Sequence, residues 1–139
     1  KTNKIFLFFL FFGLICLTTC KKVEKEMLVT TGTVSNILIT TADATGNILD
    51  LGEGATAFGH CYSTSPNSSV SDTKTEYDSP TIGGFTSALS GLSPATKYYL
   101  KAYLRRGNDV AYGNEISFTT ASSDLPELTT TIISGITKN

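Results

Sequence analysis

The chain has 139 residues and a formal net charge of −1, from 11 Lys and Arg against 12 Asp and Glu. That length suits one domain, and that balance provides no basic footprint for phosphates, so no nucleic-acid partner is expected. One His, three Cys and no Trp leave almost nothing from which to build a multi-ligand metal site or a His-based triad, so neither metal nor cofactor is expected.

The apolar residues are unevenly spread. Five of the eight Phe (Phe6, Phe8, Phe9, Phe11 and Phe12) fall near the start of the chain. Lys1 and Lys4 flank a short polar stretch, and Ile5 to Leu17 then runs apolar, interrupted only by Gly13. A membrane-crossing helix needs about 20 such residues. This shorter run fits the roughly 7–15 of a secretory signal peptide. It ends in Leu17-Thr18-Thr19-Cys20, which resembles a bacterial lipobox: an aliphatic residue, two small ones, then the cysteine that takes the lipid. Thr19 departs from the Gly, Ala or Ser usual at that position. Cys16 is excluded as the lipid site because bulky Leu14 and Ile15 precede it. The resemblance implies a signal peptide over residues 1–19 and a lipid on Cys20. It also implies a membrane partner in a bacterial cell envelope, the outer membrane of a Gram-negative cell. A plain secretory signal and an uncleaved anchor are the alternatives.

Removal of residues 1–19 leaves nine basic and 12 acidic side chains, a net charge of −3. With Cys20 lipidated, Cys61 is the one remaining thiol, so no intramolecular disulfide can form. Residues 20–27 read as the lipidated Cys and a charged tether, Lys21-Lys22-Val23-Glu24-Lys25-Glu26, with no hydrophobic period. Charged residues in this place are similar to the surface-export signals of some Gram-negative lipoproteins.

From Met27 to Thr120 no helical stripe appears. Thr, Ser, Val, Ile, Tyr and Gly dominate, and turn residues recur at short spacing, which predicts an all-β sandwich of seven strands. Thr33 to Ala42 is the first predicted strand, ended by Ala44-Thr45-Gly46-Asn47. Gly52-Glu53-Gly54 is a turn, Ala55 to Ser63 a strand, and Gly83-Gly84 leads into a strand over Phe85 to Leu89. The clearest strand is Tyr98 to Arg105. Its alternation puts Tyr98, Leu100, Ala102 and Leu104 on the core face and Tyr99, Lys101, Tyr103 and Arg105 on the solvent face. Arg106-Gly107-Asn108-Asp109 is a hairpin turn with Gly and Asn at positive φ, and Val110 to Thr120 is the partner strand. An inserted Asn108 separates Gly107 from Asp109, so no Arg-Gly-Asp adhesion loop is present.

Leu92-Ser93-Pro94-Ala95-Thr96-Lys97-Tyr98 resembles the corner before strand F of fibronectin type III domains, with Leu92, Pro94, Thr96 and Tyr98 at the matching positions. The stretches Phe58 to Asn67 and Ala111 to Thr120 are similar to a bacterial subgroup of that family, although Tyr62 stands where Trp usually follows the Cys. The resemblance covers residues 28–120. It implies an immunoglobulin-like, fibronectin type III-like sandwich whose Tyr98 hydroxyl bonds back to the corner backbone.

The chemistry-bearing residues are few. His60 and Cys61 are adjacent on a strand, so they point to opposite faces and cannot chelate one ion; Cys61 is expected to pack as a small apolar core residue. No nucleophile elbow, phosphate loop or second His is present, and no catalysis is expected. Glu76 and Asp78 alternate onto one face of a predicted strand. Tyr99, Lys101, Tyr103 and Arg105 form an aromatic and cationic row that fits a protein or glycan ligand, or else pairs within its own sheet. The function expected is that of a membrane-anchored spacer or interaction module. The alternatives are a glycan-capturing accessory protein and the non-catalytic N-terminal part of a longer secreted enzyme.

Residues 121–139 read as a Pro-bearing linker followed by Leu128 to Ile136, which echoes Val29 to Ile37 at four of nine positions. They are expected to pack poorly on the domain and to begin a second repeat.

Overall fold

The computed structural model describes residues 24–123. The expectations for the signal peptide, Cys20, most of the tether and Leu128 to Ile136 lie outside the described residues. Nine strand segments follow in order: β1 Met27–Ser35, β2 Ala42–Leu51, β3 Ala57–Ser63, β4 Thr73–Lys74, β5 Tyr77–Asp78, β6 Gly83–Leu89, β7 Lys97–Arg106, β8 Asp109–Tyr112 and β9 Ile116–Thr119. No helix occurs among the described residues. The first sheet has the order β1-β2-β6; the second runs β4-β3-β7-β8, with β5 also on β3 and β9 also on β7. Thus β4 with β5, and β8 with β9, are two interrupted strands, and the sandwich has seven strand lines, as the spacing of turns predicts.

The two inner faces bury alternating side chains in two clusters, one toward each end of the sandwich. Ala42, Ala44, Tyr62, Leu89, Leu92, Tyr98, Leu100 and Phe118 fill one end. Val29, Ile48, Ala102 and Leu104 fill the other, with Phe58 and Phe85 packed against them. In β7 the inward set is Tyr98, Leu100, Ala102 and Leu104, the face predicted from period 2.

Three boundaries differ from the sequence reading. First, β2 runs straight through Ala44 to Asn47, where a turn was predicted. Gly46 is there for close packing: a Cβ on it would collide with the Phe85 ring. The real turn is Asn36 to Thr41, where Asn36 takes φ +47° and binds Asp43 through its side-chain amide at 2.7 Å. Second, the β7–β8 hairpin uses positive φ only at Gly107 (+57°); Asn108 has none. Third, the last strand breaks at Gly113 to Glu115. There β1 crosses the open edge. The Ala102 amide donates to Thr31 Oγ1 at 2.9 Å, and the Gly113 amide donates to the Ala102 carbonyl at 2.9 Å. A side chain on Gly113 would strike the Thr31 backbone.

Because all pairings are antiparallel, the chain enters the sandwich at one end and leaves at the other. Met27 lies opposite Leu51. The Ala121 amide donates to the Leu38 carbonyl at 3.1 Å, and its carbonyl accepts from the Ala95 amide at 3.0 Å. Packing therefore extends to Ala121 at the far end, one residue into the segment expected to pack poorly.

Candidate interaction face and tyrosine corner

The outer face of the larger sheet holds the row Tyr99, Lys101, Tyr103 and Arg105, but not as an open surface. Tyr103 is fully buried, which corrects its predicted exposure. The cause is non-local. Opposite Tyr103 on β3 is Gly59, and the chain between β4 and β5 folds directly over that glycine, with Thr75 where its Cβ would be. The Tyr103 hydroxyl then finds two acceptors, the Thr75 carbonyl at 2.8 Å and Glu76 Oε2 at 3.1 Å. Burial, then the Glu76 carboxylate, push its phenol well above the ordinary tyrosine range.

The remaining members of the row are partly exposed and engaged with neighbours. Arg105 reaches Glu76 Oε1 at 3.0 Å. Lys101 lies 3.6 Å from Glu115 Oε2 and 5.7 Å over the Tyr112 ring. Lys97 sits 5.1 Å over the Tyr99 ring. Glu76 is bound between β4 and β5 to Tyr103, Arg105 and Lys74, while Asp78 is exposed on β5, so the two acids do not form a carboxylate pair on one strand.

Leu92, Pro94, Thr96 and Tyr98 lie at the end where the chain leaves. The Tyr98 hydroxyl accepts from the Ser93 amide at 2.9 Å, and its ring stacks on Phe118 with centroids 5.7 Å apart. Leu92 is buried, and its amide donates to the Thr40 carbonyl at 3.0 Å. Thr96 Oγ1 donates to the Pro94 carbonyl at 2.8 Å. Thr120, which sequence reasoning passed over, ties the corner to the last strand. Its hydroxyl donates to the Ser93 carbonyl at 2.6 Å and accepts from the Thr96 amide at 2.9 Å.

His60 and Cys61 point to opposite faces. Cys61 is buried as expected of a small apolar residue, but on the outer face of its sheet, opposite Lys101. Burial pushes its thiol up. His60 points inward and bridges the sheets. Its Nε2 lies 3.1 Å from the Thr45 carbonyl on β2, which can only accept, so Nε2 carries the proton. Its Nδ1 accepts from the Ser87 hydroxyl on β6 at 2.8 Å. Thr75 Oγ1 donates to Ser87 at 3.1 Å and accepts from the His60 amide at 3.0 Å. Burial holds the imidazole pKa down at about 4. No sequence signal marks this ring of hydrogen bonds, because its members are 12–27 residues apart. Among the described residues no three His, Cys, Asp or Glu side chains cluster as a metal site.

No protein-family model matches the sequence, and no curated protein matches it. Solved structures do. The solution structure of the sensor domain of the anti-sigma factor RsgI4 from Pseudobacteroides cellulosolvens is 15% identical, with a TM-score of 0.53 over 82% of this chain and 88% of that one. A longer form of the same sensor domain is 16% identical, with a TM-score of 0.52 over 78% of this chain and all of the other. The third fibronectin III domain of human KIAA0343 is 20% identical over 76% of this chain and 91% of its own, at a TM-score of 0.47. At such identities the likeness is one of fold alone, an all-β sandwich.

Proposed function

We propose that this chain is a lipid-anchored, non-catalytic module of a bacterial cell envelope that holds or presents whatever follows it. The observation that carries this reading is the placement of the two chain ends. The charged segment after Cys20 joins at Met27, and the chain leaves at Ala121 on the opposite end of the sandwich. A domain built this way adds its full length to the distance between an anchor and its cargo. The outer face supports a spacing role over an open binding platform, because Lys101, Arg105 and Tyr103 are already engaged by Glu115, Glu76 and Thr75. The fold shared with a sensor domain supports an interaction role without catalysis.

The reading is tested by growing producing cells with labelled fatty acid. Label is expected on the wild-type chain and absent from Cys20→Ala. Undiminished labelling of the variant overturns the anchor.

A further inference from the structure

Three large exposed apolar side chains lie together on the outer face of the first sheet, at the end where the chain joins. Leu28 on β1 is 53% exposed, Leu49 on β2 45%, and Ile82, just before β6, 64%. They are neighbours by register. Leu28 pairs with Asp50 and Val29 with Ile48, so Leu49 is the extra residue of a bulge. On the other side Ile48 pairs with Gly83, which sets Ile82 beside Leu49. Val29, Ile48 and Phe85 point into the core, so alternation turns Leu28, Leu49 and Ile82 outward together. Farther along the same face the residues are polar: Thr30 opposite Asn47, then Thr45 opposite Thr86. On this sheet face the exposed apolar side chains are thus confined to the end nearest the tether, whereas Leu38 and Ile39, also exposed, lie in the turn at the opposite end.

We infer that Leu28, Leu49 and Ile82 rest on the lipid bilayer surface, so that the domain stands on its membrane at the tether end rather than swinging freely. This rests on the lipid at Cys20. Cys20 precedes Leu28 by eight residues, a fully extended span of at most about 28 Å. The anchor therefore holds this end within reach of the headgroups. A contiguous apolar patch so held is brought to the interfacial layer at high effective concentration. Lys25, beside the patch and paired with Asp50 at 2.9 Å, remains exposed toward the same surface.

The absence of Trp makes the test direct. Ile82→Trp and, at the opposite end, Leu38→Trp are each made in the full chain, purified from producing cells and reconstituted into phosphatidylethanolamine–phosphatidylglycerol vesicles with brominated acyl chains. Mass spectrometry of the N-terminal peptide reports the lipid. With lipid present, the Ile82→Trp emission is expected to be quenched at least twofold and the Leu38→Trp emission unchanged. Lipid present with equal emission from both variants overturns the docking and leaves the anchor standing. A missing lipid overturns both. An Ile82→Trp emission that shifts with protein concentration in detergent, and not with brominated lipid, identifies a second copy as the occupant and overturns the membrane docking.

Discussion

The Ser93 amide donates to the Tyr98 hydroxyl at 2.9 Å, closing a six-residue corner that runs into the start of β7. Tyr98 is nearly buried, between Tyr62 and Phe118. Tyr98→Phe leaves the Ser93 amide without its acceptor, and such a loss costs about 1–3 kcal/mol. Tyr99, one residue on, faces outward and is partly exposed. Tyr99→Phe should cost well under half as much. Urea melts of the two variants check this; equal midpoints would mean the corner bond contributes nothing.

Tyr103 gives the opposite lesson for its face. By alternation it belongs with Tyr99, yet its hydroxyl is buried against the Thr75 carbonyl and Glu76. Tyr103→Phe is expected to destabilise by roughly 0.5–1.5 kcal/mol, the net worth of one such bond, and clearly more than Tyr99→Phe. Thermal melts of the three tyrosine variants should therefore rank Tyr98 and Tyr103 together, apart from Tyr99.

Period-2 alternation is local, so the two faces of β7 and the sandwich class were legible in the sequence. So was the corner, whose partners are five residues apart. The cover over Tyr103 was not legible, because it depends on where Thr75 crosses Gly59. Gly46 misled for a related reason. A glycine in sequence looks like a turn, whereas this one makes room for Phe85 across the sheet. The His60 bridge was hidden for the same cause, since Thr45 and Ser87 lie 15 and 27 residues away.

That bridge makes stability depend on pH in a direction that can be worked out. The folded imidazole has its pKa lowered from 6.5 to about 4. The unfolded chain therefore binds a proton between those values that the folded chain does not. The stabilising contribution is complete above pH 6.5, shrinks as pH falls, and is gone below about 4. The gap is worth about 3 kcal/mol at most. Urea midpoints of the wild type are expected to fall between pH 7 and 4.5. In His60→Phe that part of the slope should vanish, leaving what the carboxylates contribute. An unchanged slope in the variant would assign the acid sensitivity to other groups. Ser87→Ala offers a second check: it strands Nδ1 in the core and should lower stability by about 1–3 kcal/mol at pH 7.

Ala95 sits at the tip of the tyrosine corner with φ +48°, in the left-handed region that an L side chain avoids. It is exposed, and its amide donates to the Ala121 carbonyl at 3.0 Å, so the conformation is held by the corner and not by its methyl group. A left-handed residue with a Cβ costs roughly 1–2 kcal/mol, while glycine gives back about 0.5–1 kcal/mol through the flexibility of the unfolded chain. Ala95→Gly is therefore expected to stabilise by about 0.5–1 kcal/mol, raising the melting temperature by roughly 2–8 °C for a domain of this size. Ala88 is also exposed but lies within β6, where glycine brings only its entropic cost. Ala88→Gly should lower the melting temperature. Opposite signs for two exposed Ala→Gly changes in one sandwich are the outcome to look for; a fall in both would show that the Ala95 backbone carries no strain for glycine to relieve.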